Sequence, residues 1–239
     1  MCQIINNPTG APLLKIRLET AFDNNRDGVG VMWHDQETGR VQTLRGMYSF
    51  AELWDLHQML LGTPHAIHLR YRTRGPVGEV ACHPFKILSE EQDGIDLYMM
   101  HNGTIEAMPS SKDASDTMQF ASRLREKLLT WDNPLDIIRP NVLERMEKTI
   151  GDNRLVFFAS GGITAIVNAK TGWFEHAEEG AVEIDTFDGM STPVWYANQY
   201  SFSGLDPKTW YTTPLPTRRK GWGKLGSSEI DWHSIYGED

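Results

Sequence analysis

The sequence predicts a mixed α+β fold, because two kinds of apolar periodicity alternate along most of the chain. Short stretches with an apolar residue at every second position, such as residues 66–71, are typical of β-strands. Leu53, Leu56 and Leu60 have the three- and four-residue spacing of an α-helix. The chain has 239 residues, 40% of them hydrophobic and 23% charged, as expected of a globular protein with one large domain or two small ones.

The first half contains the clearest elements. Five stretches are predicted to be strands: residues 3–5, 29–33, 41–44, 66–71 and 96–100. Residues 13–22 alternate weakly and fit either a short helix or a strand. Ser49 and Glu52 have the spacing of a capping box, which predicts a helix beginning there, and Ser115 opens a second helix.

The second half is predicted to continue with a helical segment and further strands. The helical pattern over residues 134–150 is interrupted at Pro140, and three strands follow at residues 155–159, 164–168 and 173–175. From about residue 206 the apolar period disappears. We expect residues 206–239 to be a solvated tail, or else a docking arm for a partner.

Charge and composition exclude several classes of protein. A net charge of -9 argues against broad nucleic-acid binding, and no apolar run is long enough to predict a membrane span. Two cysteines are too few for a disulfide framework, and the eight histidines have no metal-ligand spacing. We therefore expect no metal or cofactor, no secretory signal, and a reducing cytoplasmic location.

Cys2 is the first candidate for chemistry, because it directly follows the initiator methionine. Removal of Met1 would give one residue both a thiol and a free α-amine, so that a nucleophile carries its own general base. From the opening residues alone, Cys2 is better explained as a small apolar residue at the start of a core strand.

Four more positions have both a structural and a functional explanation. Arg70 lies in a strand pattern, where it serves either a structural ion pair or a carboxylate ligand. Asn102-Gly103 after a strand forms either a tight turn or an oxyanion hole. Asp116 is either a favourable charge in a helical first turn or the partner of a substrate ammonium.

Other positions have simpler explanations. Cys82 is interpreted as a small buried residue and His83 as a hydrogen-bonded structural histidine. Gly28 and Gly30 flank Val29, which indicates backbone lying close to another strand or to a ligand.

Six motifs in order resemble the glutaminase domain of the class II glutamine amidotransferases, a family of amino-terminal nucleophile hydrolases. The resemblance is closest to compact stand-alone members, and it covers residues 2–125 well. Gln3 departs from the glycine that many members have, and Arg72 and Arg74 make the loop after Arg70 unusually basic. The motifs are Cys2, residues 25–30, residues 68–75, His83-Pro84-Phe85, His101-Asn102-Gly103 and Ser115-Asp116-Thr117.

The resemblance implies a fold and a set of roles. The fold is a four-layer α-β-β-α sandwich of two mainly antiparallel sheets, formed by residues 2–205, in which the strands after residue 154 complete the second sheet. Cys2 is implied to be the nucleophile. Asn102 and Gly103 are implied to hold the oxyanion, while Arg70 and Asp116 bind the carboxylate and ammonium of L-glutamine. Thr73 and Gly75 match the substrate-binding loop.

The implied activity is hydrolysis of L-glutamine through a γ-glutamyl thioester on Cys2. No phosphate-binding loop or dinucleotide motif is present, so the implied partner is a separate synthase or ligase that accepts the ammonia. Two alternatives stay open. One is a cysteine amidohydrolase acting on another γ-glutamyl or acyl amide, and the other is a non-catalytic binding module of the same fold.

Overall fold

The structure is a computed structural model that describes residues 2–72, 75–76, 78–175 and 194–198. Its strands are β1 (Gln3–Asn7), β2 (Val29–His34), β3 (Val41–Met47), β4 (His65–Leu69), β5 (Phe85–Leu88), β6 (Leu97–Asn102), β7 (Arg154–Ala159), β8 (Ile163–Val167), β9 (Trp173–Glu175) and β10 (Val194–Tyr196). Its α-helices are α1 (Lys15–Asp23), α2 (Phe50–Met59), α3 (Glu90–Asp93), α4 (Asp116–Leu128) and α5 (Pro140–Ile150). Short 3-10 helices lie at Glu79–Ala81, Pro134–Ile138 and Ala169–Thr171.

The first sheet has β1 near its centre. Six strands are hydrogen-bonded in the order β3-β2-β4-β1-β10-β9, and neighbouring strands are antiparallel. Gln3 is opposite Leu69 in β4, while Ile5 is opposite Tyr196 in β10. The amino-terminal end of β1 therefore lies between the carboxyl-terminal ends of β4 and β10.

The second sheet has four antiparallel strands in the order β5-β6-β7-β8. Its strand β6 contacts β1 of the first sheet. Because β6 ends at Asn102, this contact brings the end of β6 toward the beginning of β1.

Three apolar clusters show which surfaces the sheets bury. Adjacent residues of a strand point to opposite faces, so Ile4 and Ile5 belong to different clusters. Ile4 packs with Met100 and Phe158 between the two sheets, and Ile5 packs with residues of α1 and α2. The second sheet has its own cluster with α4 and α5, which includes Phe120. Each sheet therefore buries residues both against helices and against the other sheet.

The two predicted helix starts differ in their capping. Ser115 precedes α4, and its hydroxyl accepts a hydrogen bond from the Met118 N–H at 3.2 Å. Ser49 precedes α2, but its side chain makes no capping hydrogen bond, so the predicted capping box is wrong. The helix begins at the predicted position because its apolar face, with Leu53 and Leu56, packs on the first sheet.

The predicted elements agree with the described structure except in a few places. Residues 13–22 lie mainly in a helix. The helical segment at residues 134–150 is interrupted as predicted, because the 3-10 helix Pro134–Ile138 ends at the extended residue Arg139 and Pro140 begins α5. Strands β5 and β10 were not predicted. Strand β9 joins the first sheet through β10, whereas it was expected in the second.

The chain therefore has a mixed α+β fold with two antiparallel sheets. The domain boundary at residues 205/206 and the expected tail lie outside the described residues and stay predictions. No helix in the described part of the chain combines the length and the apolar character needed to cross a membrane.

Candidate active site

Cys2 immediately precedes β1 and has its sulfur against the chain that leaves β4. The Tyr71 backbone N–H donates to Cys2 Sγ at 3.4 Å, and the Tyr71 carbonyl oxygen is also 3.4 Å from the sulfur. A thiol can donate to that carbonyl, whereas a thiolate would accept only from the N–H. The thiol is partly exposed.

The Cys2 carbonyl is held by two amides from other parts of the chain. The side-chain amides of Asn102 and Asn198 both donate to the Cys2 carbonyl oxygen. Asn102 ends β6 in the second sheet, and Asn198 follows β10 in the first. The backbone around the nucleophile candidate is therefore fixed from both sheets.

Arg70 follows β4 directly and is 5% exposed. Its backbone N–H donates to the Gly28 carbonyl at 3.0 Å, and its Nη2 donates to the Pro76 carbonyl at 2.9 Å. The guanidinium thus lies under the loop that contains Gly75 and Pro76, where it also acts electrostatically on Cys2.

Gly75 is the residue at which this loop packs against the amino-terminal end of helix α4. Its φ is +84°, and a Cβ at this position would lie 2.9 Å from Ser115 Cβ, which is closer than side chains pack. Glycine is therefore required both by the backbone conformation and by the approach of the loop to the amino-terminal end of α4.

Gly103 occupies a similarly restricted position after Asn102. Its φ is +140°, and a Cβ there would collide with Asn153 Oδ1. Asn102 is fully buried, and its Oδ1 has no hydrogen-bond partner among the described residues. The side-chain amide of Asn102 is therefore followed by the backbone N–H of Gly103, which no Cβ obstructs. Two adjacent hydrogen-bond donors of this kind can stabilise an oxyanion.

Asp116 is the first residue of α4 and is 8% exposed. Its Oδ2 accepts from the Ile105 N–H at 2.7 Å, and its Oδ1 accepts from its neighbour Thr117 N–H at 2.9 Å. Thr117 Oγ1 also lies 3.4 Å from Oδ1, but Oδ2 keeps a second lone pair, so the anion is held in place while it can still accept from a cation.

His101 connects the end of β6 to two other elements. Its Nδ1 is 2.7 Å from Thr117 Oγ1, and its Nε2 is 2.8 Å from Asn153 Oδ1. Since Asn153 Nδ2 donates to the Ile150 carbonyl, Asn153 Oδ1 must accept from His101. Burial lowers the pKa of His101, against the opposing effect of the Asp116 carboxylate, and the neutral ring then accepts from the Thr117 hydroxyl.

A second and a third histidine pack beside His101. His68 Nε2 donates to the His101 carbonyl at 3.1 Å, and the ring centroids of His68 and His83 are 3.9 Å apart. The expectation that His83 is hydrogen-bonded is wrong, because neither ring nitrogen has a partner in the described part of the chain. Burial lowers the pKa of His68 to about 3 and that of His83 well below its ordinary value, so both rings are neutral.

The two glycines at the start of β2, Gly28 just before it and Gly30 within it, contact the same region. A Cβ on Gly28 would collide with Cys82 Sγ, and one on Gly30 would collide with the His83 carbonyl. The predicted close backbone approach is therefore to the segment Cys82-His83. Cys82 is fully buried, as expected, and burial raises its pKa.

The thiol of Cys2 is subject to opposing influences. Its burial raises the pKa, while the Tyr71 N–H and the positive charges of the amino terminus and Arg70 oppose that rise. Burial prevails, so the pKa of Cys2 is raised and the thiol form is favoured, while the Tyr71 N–H and the nearby cations offset part of the cost of forming a thiolate.

The structure brings several of the predicted residues together. Cys2 lies with Arg70 and Asn102, and Gly75 joins Arg70's loop to the helix that begins with Asp116. Thr73 lies outside the described residues. Sequence reasoning missed Asn198, Asn153 and the Tyr71 backbone, and no local pattern distinguishes them, because each acts through a contact distant in sequence.

Within residues 2–72, 75–76, 78–175 and 194–198, no group of three or more histidine, cysteine or acidic residues could hold a metal ion. The site is instead made of one thiol, one buried guanidinium, one buried carboxylate and several amide donors.

Comparison with known proteins gives little further information. No protein-family model matches the chain, and no curated protein is similar to it. Among solved structures, it is similar to glutamine phosphoribosylpyrophosphate (PRPP) amidotransferase from B. subtilis complexed with ADP and GMP, at a TM-score of 0.40 and 14% identity. The match covers 84% of this chain but 43% of that one, and a TM-score this low supports no functional assignment.

Proposed function

We propose that the protein is a glutamine amidotransferase that hydrolyses L-glutamine to glutamate and ammonia with Cys2 as its nucleophile. The observation that carries this proposal is the meeting of three distant segments at Cys2. The sulfur contacts the backbone after Arg70, and the carbonyl of the same residue accepts from Asn102. A nucleophile, a cation and an amide donor are thereby assembled around one reactive position.

The nucleophile is proposed to become active when Met1 is removed. The α-amine of Cys2 then accepts the thiol proton, directly or through a water, and the resulting thiolate is stabilised by the Tyr71 N–H and by Arg70. With Met1 in place, the same nitrogen is an amide and cannot act as a base.

Substrate orientation is proposed to depend on the two buried charges. The Arg70 guanidinium binds the α-carboxylate of glutamine, and Asp116 binds its α-ammonium. Thr73 and Gly75, which follow Arg70 in the sequence, are proposed to contribute to substrate binding. A compound that lacks either charge would leave a buried ion without a partner, which favours a free amino acid as the substrate.

The reaction is proposed to occur in two stages. The sulfur attacks the side-chain amide carbon, and the oxyanion is stabilised by the Asn102 amide and the Gly103 N–H. The C–N bond then breaks, ammonia leaves with the proton taken from the thiol, and a γ-glutamyl thioester remains. Water adds to the thioester, the C–S bond breaks, and glutamate and the Cys2 thiol are released.

The proposal extends to the fold and to the fate of the ammonia. We infer a four-layer α-β-β-α sandwich, which the apolar clusters between the sheets and under the helices support. A separate cytoplasmic synthase or ligase is the proposed acceptor of ammonia.

The proposal is tested with the purified full-length protein. Intact mass should show loss of Met1, glutamate release should be measurable, and Cys2→Ala should reduce it by at least about a thousandfold, as removal of a nucleophile does. A glutamine-analogue electrophile should label Cys2, as located by peptide mapping.

Cys82→Ser is the matched control, because Cys82 is the chain's other cysteine and is buried. It should keep both glutamate release and labelling. Retention of Met1, labelling at Cys82, or glutamate release by Cys2→Ala would contradict the proposal, while turnover of another γ-glutamyl or acyl amide in preference to glutamine would favour the amidohydrolase alternative.

A further inference from the structure

We propose that Asp27 is a positioning residue, which holds the backbone of residues 70–72 so that the Tyr71 N–H points at the Cys2 sulfur. The inference rests on the proposed function only in taking Cys2 as the nucleophile. Asp27 belongs to the motif at residues 25–30, to which the proposed mechanism gives no role.

The contacts of Asp27 lie on both sides of Tyr71. Its backbone N–H donates to the Arg70 carbonyl at 3.0 Å, and its Oδ2 accepts from the Arg72 N–H at 2.7 Å. A third bond, from the Arg70 N–H to the Gly28 carbonyl at 3.0 Å, continues the same ladder. Asp27 therefore holds the peptide groups on both sides of Tyr71, and Gly28 holds the peptide group before Arg70.

The donor held in this way is the one that meets the sulfur. The Tyr71 N–H is 3.4 Å from Cys2 Sγ, and no side chain of Tyr71 takes part in that bond. Since β4 ends at Leu69, residues 70–72 have left the sheet. Beyond the last backbone bond, from the Asp27 N–H to the Arg70 carbonyl, the Asp27 carboxylate supplies the constraint that a neighbouring strand would otherwise give.

An aspartate is suited to this position by its geometry rather than by its charge. Asp27 is exposed, so water screens its carboxylate, and a negative charge near Cys2 would disfavour the thiolate. Its short side chain places an acceptor opposite the Arg72 N–H. Gly28, which comes next, cannot carry a Cβ because Cys82 Sγ occupies that space.

The charged groups that act on Cys2 are the amino terminus and Arg70, both positive. Both remain when Asp27 is replaced. Replacing Asp27 therefore changes the pKa of the Cys2 thiol in two opposite ways. Displacement of the Tyr71 N–H raises that pKa, and loss of the Asp27 charge lowers it slightly.

Two substitutions separate the two effects. Asp27→Asn removes the charge but keeps an acceptor oxygen at the same distance, and Asp27→Glu keeps the charge but displaces the acceptor by one methylene. The rate of Cys2 alkylation by iodoacetamide is measured from pH 6 to 10 by peptide mapping of the full-length protein, and the thermal midpoint of each variant is recorded.

We expect Asp27→Glu to move the pH of half-maximal Cys2 alkylation upward by about half a unit to one unit, as loss of one backbone donor would. Asp27→Asn should leave it unchanged or slightly lower. In the glutamate-release assay, Asp27→Glu should lower kcat about threefold to tenfold with little change in KM. Asp23→Asn is the matched control, because Asp23 is also exposed and lies shortly before Asp27 in the sequence. Among the described residues, its carboxylate pairs with Arg26 alone.

The outcomes distinguish this inference from the proposed function. An upward shift with Asp27→Glu and none with Asp27→Asn supports the inference even if the wild type releases no glutamate, in which case the proposed function alone fails. An active wild type with no alkylation shift in Asp27→Glu, or an upward shift with Asp27→Asn, overturns the inference and leaves the proposed function intact.

Discussion

Strand β4 has a buried histidine near each end, and the two ends differ in how their polar atoms are satisfied. At the first end, the Leu13 N–H donates to His57 Nε2 at 3.1 Å, and His57 Nδ1 is 3.4 Å from His65 Nε2. His65 Nδ1 then donates to the Thr63 carbonyl at 2.8 Å. These partners assign one proton to each ring, and every ring nitrogen of the pair is used.

At the other end, near Cys2, the histidine nitrogens are incompletely satisfied. His68 uses Nε2 for the His101 carbonyl, but its Nδ1 and both nitrogens of His83 have no hydrogen-bond partner among the described residues. Asn102 Oδ1 is in the same situation.

The two ends of β4 therefore differ in whether their buried polar atoms have hydrogen-bond partners. Buried polar groups without partners lower stability, and native proteins tolerate them mainly where a site needs them. The His57–His65 end is therefore a satisfied hydrogen-bond network, and the unpartnered atoms of His68, His83 and Asn102 lie at the end where we propose the active site.

The largest expected effect comes from comparing two asparagines that lie near opposite ends of β1. Asn102, at the end of β6, donates to the carbonyl of Cys2 just before β1, and Asn7 is the last residue of β1. Asn102→Ala should reduce glutamate release by about a hundredfold to a thousandfold, because an oxyanion donor is lost, with little change in stability. Asn7→Ala should leave kcat nearly unchanged. It should reduce the free energy of unfolding by about 2–3 kcal/mol, because Asn7 bonds both the N–H and the carbonyl of Ala11.

Both variants are checked by glutamate release and by urea unfolding. Equal loss of activity in the two would contradict the distinction between a structural end and a site end.

A second prediction sharpens the comparison through the histidines themselves. His57→Leu should cost about 2–4 kcal/mol of unfolding free energy, because the Leu13 N–H and His65 Nε2 lose their partner in a buried place. His83→Leu should change stability by less than about 1 kcal/mol, because it removes two polar atoms that have no partner. Urea unfolding at pH 7.5 measures both, and a larger loss in His83→Leu would show that His83 is the structural residue.

The smallest expected effect is on the pH dependence of stability. Burial lowers the pKa of His57 and of His65 to about 4, from an ordinary value near 6.5. Below pH 6.5 the unfolded chain takes up protons that the folded protein refuses, so stability is fully present above pH 6.5 and is lost as the pH falls toward 4.

Between pH 5.5 and 4.5, each such histidine contributes a slope of up to about 1.4 kcal/mol per pH unit. His57→Leu should therefore show a shallower decline than the wild type in urea unfolding. Asn7→Ala, although destabilised, should keep the wild-type slope. A slope in His57→Leu equal to that of the wild type would mean that His57 does not resist protonation in the folded protein.

The elements that sequence patterns predicted well are those whose cause is local. The turn residues before Val29, the apolar face of α2 and the Ser115 cap all act within a few positions along the chain. Their physical chemistry is contained in short segments, and the predicted strands and helices largely match the described ones.

The errors all involve partners distant in sequence. Strand β9 was placed in the wrong sheet because its neighbour is β10, about twenty residues further along the chain. His83 has no hydrogen bond to a described residue because the rings of His68 and Phe85 pack against its ring. Ser49 has the expected spacing to Glu52, yet packing of α2 on the sheet holds the helix start without its hydroxyl.

From the sequence, a cysteine was predicted to lead into a strand, an arginine to lie within another, which in the structure ends just before Arg70, and an Asn-Gly pair to follow a third. Their meeting was decided only by tertiary structure. The antiparallel register of Gln3 with Leu69 brings Cys2 beside Tyr71, and the contact of β1 with β6 brings Asn102 to the Cys2 carbonyl. Strand register and sheet contact depend on side chains throughout both sheets, so no single motif contains them.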